Sequence, residues 1–383
     1  MESRWLRWLG TGVIAIAAVV SVASVTSGAA PKMWSPGVCP ADQDRGAAAR
    51  AAGPVTPRDQ AGEAWFRLDP RLDRGGTLVG QRLLVGLDGD RASRIMDLPP
   101  ESFAAGPFGR IVLVGADDGT TSRLRAIDVA GTCAWELATE DAVIRRATID
   151  PAGSTVYEMR VDRASRADLG VWARPLEGSA PATRVLEPID PDERFGRTFS
   201  TEFAWDLARS QMAVQSCGEV ACRTRVLRAG GGPAIVADPE LGVIVGLDGD
   251  RLVTYAACPG HPCPVVATDM TSGARTVLTD SAAIAVVAAT PGGPRLIYEV
   301  FDGPAIALRS VALDGTSARD LGPLPMGMRL HASPEIAGAA TRVGSGWVLL
   351  SPDGRLPDTG PVARTQLRHV TDGTTVTLDE VAR

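Results

Sequence analysis

Lysine is nearly absent from this chain, and positive charge is nowhere concentrated. Lys32 is the only lysine, and 45 acidic residues against 39 basic ones give a net charge of −6. Arginine and acidic residues are interspersed without runs of one sign, whereas a nucleic-acid-binding surface needs clustered positive charge. The composition therefore argues against nucleic acid as a partner.

The sequence also lacks the signatures of several enzyme classes. It has no Gly-x-Ser-x-Gly elbow for a serine nucleophile and no Gly-x-x-x-x-Gly-Lys loop to hold a phosphate. Histidine is scarce, since His261, His331 and His369 are the only three. His331 and His369 fall at predicted strands, which favours structural roles. We therefore assign no catalytic residue, no cofactor and no metal site, and acidic residues at a central channel are the route to catalysis that stays open.

An uncharged stretch near the N-terminus indicates export. Arg4 and Arg7 precede an apolar run from Trp8 to Val25. The run fits a secretory signal with small residues before a cut, and equally an uncleaved anchor, because a membrane span needs about 17–25 apolar residues. Positive charge stays inside, so both alternatives place the rest of the chain outside the cytoplasm. Residues 1–30 are thus predicted to be a signal peptide or membrane anchor, and the only membrane contact of a secreted or anchored protein.

Six cysteines agree with an oxidising compartment, where an even count usually forms disulfides. The segments SCGEVAC and ACPGHPC space their cysteines alike, which predicts the pairs Cys217–Cys222 and Cys258–Cys263. Cys39 and Cys133 are left over, and we expect them to pair with each other. His261 lies inside the second segment, so a metal site with nitrogen and sulfur ligands is an alternative there. Three ligands within six residues fit a disulfide better.

Two regions follow the N-terminal segment. Residues 31–61 are rich in alanine and proline and have no periodicity, so they are predicted to be a linker. From Ala64 onward, apolar runs of strand length alternate with glycine, proline, aspartate and serine, and no stretch keeps a helical period. This pattern is typical of an all-β domain, which we place at residues 62–383.

One supersecondary unit recurs through the all-β domain. An alternating strand, a tight turn with glycine and a second short strand appear seven times, with the turns 42 to 58 residues apart. Asp-Gly between alternating strands is a strong hairpin signal, because both residues tolerate positive φ. The period predicts a β-propeller of four-stranded blades, with seven blades expected and six or eight as alternatives. The turn glycines are Gly89, Gly131, Gly178, Gly231, Gly273, Gly315 and Gly373.

A second turn lies between each two successive hairpins, so each blade would consist of four strands, A to D. The glycine hairpins named above would join strand C to strand D, and the second turns would join strand A to strand B. The heptapeptide VGLDGDR occurs twice, at Val85–Arg91 and Val245–Arg251, with unlike flanks. We expect the first copy at a C-to-D turn and the second at an A-to-B turn, which is one hairpin chemistry at two positions. The predicted A-to-B turns are centred on Gly109, Gly153, Arg209, Gly249 and Gly293.

The A-to-B segments resemble a known repeat. TIDPAGSTVYEM (Thr148–Met159), WDLARSQMAV (Trp205–Val214) and ATPGGPRLIYEV (Ala289–Val300) look like the Ser-Pro-Asp-Gly repeats of TolB-type propellers, which resemble WD repeats. LLSPDGRL (Leu349–Leu356) contains the motif itself. The resemblance implies a propeller and says little about activity, because such propellers carry many roles.

Taken together, these features predict an extracytoplasmic binding or scaffold propeller for a protein, a peptide or an envelope polymer. A propeller-class enzyme, such as a glycan hydrolase, lyase or lactonase with channel carboxylates, is the alternative, and a sensor domain is a third hypothesis. The close cysteine pairs would rigidify the B-to-C loops of two adjacent blades, which lowers the ordering cost of binding. Glu219 and His261 lie in those loops and are the candidate partner-binding residues, with Thr316 expected on the opposite face.

Overall fold

The computed structural model describes residues 33–49, 64–87, 92–150, 153–178, 180–188, 199–205, 211–217, 222–228, 235–236, 242–256, 262–290, 292–303, 305–330, 347–352, 366–371, 373–377 and 379–380. The predicted export segment and its apolar helix lie outside this part of the chain. Within the described ranges, no helix is both long enough and apolar enough to cross a membrane.

The described strands pair into seven sheets, which we number in chain order. The chain first forms the short strand β1 (Gly37–Val38) and the helix α1 (Arg45–Ala49). Sheet 1 contains β2 (Ala64–Leu72), β3 (Leu78–Leu87), β4 (Ala92–Leu98) and the C-terminal strand β29 (Asp379–Glu380). Sheet 2 contains β5 (Ser102–Phe108), β6 (Ile111–Asp117), β7 (Ser122–Asp128) and β8 (Cys133–Glu140), with β1 beyond β8.

Sheets 3 to 5 each contain four consecutive strands. Sheet 3 contains β9 (Val143–Ile149), β10 (Thr155–Val161), β11 (Asp168–Pro175) and β12 (Thr183–Leu186). Sheet 4 contains β13 (Phe199–Trp205), β14 (Gln211–Cys217), β15 (Cys222–Arg228) and β16 (Ile235–Val236). Sheet 5 contains β17 (Ile244–Asp248), β18 (Arg251–Tyr255), β19 (Cys263–Asp269) and β20 (Arg275–Ala282).

Sheets 6 and 7 repeat the same order. Sheet 6 contains β21 (Ala285–Thr290), β22 (Gly293–Asp302), β23 (Ala305–Ala312) and β24 (Arg319–Pro323). Sheet 7 contains β25 (Met328–Leu330), β26 (Trp347–Pro352), β27 (Gln366–His369) and β28 (Thr375–Thr377). Each of sheets 2 to 7 has two ends. At one end, turns join the first strand to the second and the third strand to the fourth, and we call it the first-turn end. At the opposite end, a turn joins the second strand to the third, and we call it the second-turn end.

The predicted turns that the structure describes join the strands that the pattern predicts, at Gly109, Gly131, Gly153, Gly178, Gly249, Gly273, Gly293, Gly315 and Gly373. The predicted turn residues Gly89, Arg209 and Gly231 lie outside the described residues. In sheet 5, Asp248 pairs with Arg251, and Gly249 between them has a φ of +53°, which a side chain would oppose. This hairpin is the second copy of VGLDGDR, at the predicted turn from first to second strand. The first copy joins β3 to β4, the second and third strands of sheet 1, because the C-terminal β29 is the fourth. It therefore does not join third to fourth strand as expected, and residues 88–91 lie outside the described ranges.

Consecutive sheets pack face to face, and each of the six neighbouring pairs from sheets 1–2 to sheets 6–7 encloses its own cluster of buried apolar side chains. Between sheets 3 and 4, for example, Met159 and Val171 meet Met212 and Val214. A sheet that packs between two others has two buried faces. Many strands are therefore apolar on both faces and do not alternate between apolar and polar residues. The result is a ring of sheets whose core is distributed between them.

Residues 33–49, which were predicted as part of a linker, instead pack on this ring. Trp34 N–H donates to the Ile95 carbonyl of sheet 1 (2.7 Å), and β1 pairs in parallel with β8 of sheet 2. Helix α1 then follows, and its Ala48 and Ala49 are buried in the cluster between sheets 2 and 3. Alanine is small enough to sit flush against this surface, so a composition typical of a linker also suits close packing.

Candidate functional site

Polar side chains fix the start of one sheet against its predecessor at the second-turn end. Gln81 on β3 donates from Nε2 to the carbonyl of Ser102 (2.5 Å), where β5 begins. Ser122 on β7 accepts from the N–H of Ile144 (3.0 Å) at the start of β9. Because buried backbone groups need a partner, these bonds set where each new strand begins, and with it the side chains that follow.

This arrangement brings the side chains of four arginines to one cavity. The cavity has a volume of about 1110 Å³ and opens at the second-turn end over sheets 1 to 3, and we call it the arginine pocket. Arg145 and Arg146 come from β9, directly after the crossover from sheet 2. Arg163 and Arg166 come from the turn between β10 and β11. Folding of sheet 3 therefore brings together residues that are distant along the sequence.

Arg163 is a fixed wall of the pocket. Its Nη1 and Nη2 donate to the two carboxylate oxygens of Asp117 in sheet 2 (2.8 and 2.7 Å), and its Nε donates to the Asp141 carbonyl (2.9 Å). The hydrogen bond from Arg163 lowers the pKa of Asp117 below its usual value. Such bidentate pairing is strong and directional, so Arg163 joins sheets 2 and 3 and its charge is matched by Asp117.

The other arginines crowd positive charge at the pocket. The pKa of Arg145 is lowered, first by partial removal from water and then by the nearby charges of Arg166 and Arg146. Arg166 has a φ of +58°, a conformation that costs a non-glycine residue about 1–3 kcal/mol. Strain of this kind persists where the surrounding structure imposes it and clusters at functional sites. A bound anion would relieve the repulsion among these side chains.

The lining of the pocket also includes apolar and acidic side chains. The apolar ones include Leu78, Pro99, Pro100, Phe103 and Val143, and the acidic ones besides Asp117 are Glu101 and Asp118. Arginine matches the planar oxygens of carboxylates and phosphates with its fork of donors, and it is more weakly hydrated than lysine. The pocket therefore suits an anionic group that is attached to an apolar one.

The comparisons with known proteins agree with the ring of sheets. No known family profile matches the sequence, and no curated protein matches it. Among solved structures, the β-propeller domain of the trilobed protease from Pyrococcus furiosus is similar over 84% of this chain and 93% of that chain, with a TM-score of 0.52 and 10% identity. The chain is a β-propeller.

Two further solved structures are similar to this chain. An oligogalacturonate lyase in complex with manganese is similar over 84% of this chain and 86% of that chain, with a TM-score of 0.50 and 11% identity. TolB from Acinetobacter baumannii is similar over 69% of this chain, with a TM-score of 0.44 and 12% identity. The propeller spans 64% of that TolB chain, less than two thirds of its length. At such identities the likeness concerns the fold alone.

The propeller contains the predicted disulfides where both cysteines are described. Cys39 bonds Cys133 across 94 residues, and Cys217 bonds Cys222 at the end of the β14–β15 hairpin. Cys263 also forms a disulfide, and Cys258 lies outside the described residues. The disulfides that are present are typical of proteins outside the cytoplasm.

The predicted partner-binding residues Glu219 and His261 lie outside the described residues. The described strand ends nearest to them, at Cys217, Cys222 and Cys263, lie at the second-turn end of sheets 4 and 5. Thr316 lies between β23 and β24 at the first-turn end, as expected for the opposite face. The arginine pocket shares the second-turn end with the predicted loops but lies over sheets 1 to 3. His331 is also outside the described ranges, and His369 is half-buried at the end of β27.

Channel carboxylates were the predicted route to catalysis. The described residues bring Glu140 and Glu158 together, but both bind Arg174, and Arg160 also donates to each (3.0 Å to Glu140 and 2.7 Å to Glu158). Two arginines thus balance two carboxylates, which is the composition of a structural ion-pair group. Nowhere in the described ranges do three or more His, Cys, Asp or Glu side chains form a group that could hold a metal ion.

Sequence reasoning missed the arginine pocket because arginine is spread evenly through the chain. One signal was present: Arg145 and Arg146 stand side by side in the apolar strand VIRRATI. β9 has a bulge at this pair, because Ile144 pairs with Arg160 and Arg146 pairs with Met159, the residue before Arg160. A bulge interrupts the strict alternation of side chains between the two faces, so both arginines can line one cavity.

Proposed function

We propose that this protein is an extracytoplasmic binding propeller that holds an anionic ligand in the arginine pocket. The observation that carries the proposal is the meeting of Arg145, Arg146 and Arg166 in one cavity that apolar side chains also line. Like charges in a partly dry cleft repel one another, and an anion converts that repulsion into attraction. The strained backbone of Arg166 supports the same conclusion, since glycine would adopt this φ without cost.

Binding to the arginine pocket can be tested with small anions. Citrate and inorganic phosphate should raise the melting temperature of the full chain saturably at low salt, because a ligand that binds only the folded state stabilises it. The double variant Arg145→Gln/Arg166→Gln should bind citrate at least about tenfold more weakly, since each charge-assisted bond contributes about 1.5–3 kcal/mol. Arg309→Gln, at an exposed position of β23, is the matched control and should keep the full shift. Equal shifts in both variants would contradict the proposal.

The export part of the proposal rests on residues 1–30 and on the disulfides. We propose that the segment delivers the propeller outside the cytoplasm, as a secreted or membrane-anchored protein. A fusion of residues 1–30 to an alkaline phosphatase reporter should be active outside the cytoplasm. An inactive fusion would contradict export.

The partner-binding surface is proposed to extend over the second-turn end, where Glu219 and His261 belong to the loops of sheets 4 and 5. A photo-crosslinker at either residue should capture an envelope protein or polymer, and one at Thr316 should not. We also infer that the seven sheets are seven blades of one ring, which β29 closes by pairing with β4. The parallel pairing of Asp379 with Ala92 is the contact that supports this closure.

The alternative of a propeller-class enzyme is tested directly. The oligogalacturonate lyase is similar in fold over most of its length, so its kind of substrate is the appropriate one to try. Incubation of the full chain with oligogalacturonate, with and without manganese, should leave the ultraviolet absorbance unchanged if the protein only binds. Growth of an unsaturated product would favour the enzyme.

A further inference from the structure

A second cavity adjoins the arginine pocket. It has a volume of about 1010 Å³ and lies between the outer parts of sheets 1 and 2, beneath residues 33–38, so we call it the strap groove. Pro99, Asp117 and Asp118 line both cavities. The two cavities therefore adjoin each other at these three residues.

The floor of the strap groove is apolar and its rim is charged. Met96 and Leu98 of sheet 1 face Val114 and Ile127 of sheet 2, and Trp34 packs against the same cluster. Arg123, Arg125 and Glu136 line the cavity as well. An apolar floor with a mixed charged rim suits side chains that alternate in character, as those of an extended peptide do.

The groove follows the outer edge of β4. At its start, β4 pairs with β29 through Ala92 and Ser93, and the Ile95 carbonyl accepts from Trp34. Backbone groups that point to one edge recur every second residue, so the next outward pair belongs to Asp97. Among the described residues, no backbone group pairs with Asp97 on that side. Two residues further on, the chain reaches Pro99 and the arginine pocket.

The geometry points to an extended peptide as the ligand, with its acidic end in the arginine pocket and its chain in the strap groove, where it pairs with the outward backbone groups of Asp97 on β4. This inference rests on the proposed function and adds the class of ligand. Addition of a strand supplies main-chain hydrogen bonds, while pockets for alternate side chains supply selectivity. The arginines then supply the charge complementarity that fixes the direction and register of the peptide.

The probe is a fluorescein-labelled library of octapeptides that alternate apolar residues with serine or threonine and end in aspartate. Its three forms carry a free C-terminal carboxylate, a C-terminal amide, or an amide with asparagine in place of aspartate. Polarisation with the full chain should show the tightest binding for the first form and at least about tenfold weaker binding for the uncharged form. The amidated form separates the terminal carboxylate from the side-chain carboxylate.

The role of the strand edge is tested with Asp97→Pro. Proline is tolerated on an edge strand, and here it removes the outward N–H that a peptide would use. Asp97→Ala is the matched control, because it removes the same carboxylate and its ion pairs with Arg71 and Arg82 but keeps the N–H. Peptide affinity should fall at least about tenfold more in Asp97→Pro than in Asp97→Ala. Circular dichroism of both variants checks the fold.

A second measurement leaves the protein unchanged. Peptides methylated on alternate backbone nitrogens lose the donors of one edge, and one of the two methylation registers should abolish binding while the other is tolerated. Any of three results would overturn the inference: equal binding in both registers, equal effects of the two Asp97 variants, or binding of polygalacturonate together with no binding of any peptide. If citrate still binds in those cases, the proposed function stands and only the peptide fails; if citrate also fails, the pocket itself is not an anion site.

Discussion

At the scale of single residues, two buried glutamates occupy equivalent positions, each in the second strand of its sheet. Glu158 on β10 and Glu299 on β22 each follow a tyrosine, and both are completely buried. Glu158 shares Arg174 with Glu140 of the preceding sheet, and Glu299 pairs with Arg329 of the following sheet (2.7 Å). A buried carboxylate is tolerated only when it is paired, so each glutamate belongs to an ion-pair group that joins two sheets.

Replacement of Glu158 should show how costly an unbalanced group is. Glu158→Gln keeps the shape but leaves Arg160 and Arg174 with excess buried charge, and we expect the free energy of unfolding to fall by about 3–5 kcal/mol. Glu187→Gln is the control, because its pair with Arg184 (2.8 Å) is largely exposed and should contribute less than about 1 kcal/mol. Urea denaturation measures both, and losses of equal size would contradict the prediction.

Tyr255 gives the propeller a specific sensitivity to alkali. Its side chain bonds the backbone at Ala285, the start of sheet 6, and burial raises its pKa to about 12. An unfolded tyrosine titrates near about 10, so the folded state holds this proton more tightly. The stability that this proton provides is therefore fully present below about pH 10. It is lost as the pH rises towards about 12, by about 1.4 kcal/mol for each pH unit over that interval.

The variant Tyr255→Phe should remove this part of the pH dependence. It should also cost about 1 kcal/mol at neutral pH through the lost hydrogen bond. Urea midpoints from about pH 8 to 11 in the two proteins measure the difference. Parallel curves would show that another group causes the alkaline loss.

At the scale of elements, residues 33–39, which we call the N-terminal strap, contact two sheets from outside. Trp34 contacts β4, β1 pairs with β8, and the Cys39–Cys133 disulfide fixes the end of the strap to sheet 2. Arg45 of α1 then stacks on Trp135, 5.0 Å from the ring centre. The strap therefore covers the apolar contact between sheets 1 and 2, and the helix covers that between sheets 2 and 3.

The two described disulfides should differ in their contribution to stability. The entropy lost by the unfolded chain grows with the length of the closed loop, and the bonds close 94 and 5 residues. Cys39→Ser/Cys133→Ser should therefore lower the free energy of unfolding by about 4–5 kcal/mol, and Cys217→Ser/Cys222→Ser by about 2 kcal/mol. Urea midpoints without reductant measure both pairs, and a larger loss from the short loop would contradict the role of chain entropy.

The sequence predicts those elements whose conformation is determined by residues next to one another in the chain. Gly249, Gly273 and Gly315 lie at their predicted turns, because positive φ at a tight turn selects glycine wherever it occurs. The strap was predicted as a linker, since nothing local distinguishes an alanine that packs from one that does not. The arginine pocket depends on the crossover from β8 to β9 and on the β10–β11 turn meeting in space. No local pattern contains that meeting.

At the scale of the whole molecule, the proposed closure of the ring depends on a contact between distant parts of the chain. Asp379 and Glu380 pair with Ala92 and Ser93, so the last described strand belongs to the first sheet. Clusters of apolar side chains join the other neighbouring sheets, whereas the described residues at this junction are joined by backbone pairing. We therefore expect it to be the weakest point of the ring.

Deletion of residues 378–383 should open that junction selectively. Backbone amides of β4 and of sheet 7 should exchange with deuterium at least about tenfold faster, because local opening costs less once the pairing is lost. Amides of β10 and β11, on the far side of sheet 2, should keep their rates and serve as the internal control. Unchanged exchange at Ala92–Ile95 would show that the ring closes without β29.

The strap and β29 both contact β4, so the first and last described residues lie close together and can be joined. Trp34 and Asp379 contact β4 at Ile95 and Ala92, three residues apart, which is about 10 Å in a strand. A linker of a few glycines can therefore join residue 380 to residue 33, with new ends opened at the exposed turn of Gly273. We expect such a circular permutant to keep every described sheet, because the order of the sheets around the proposed ring does not depend on where translation starts.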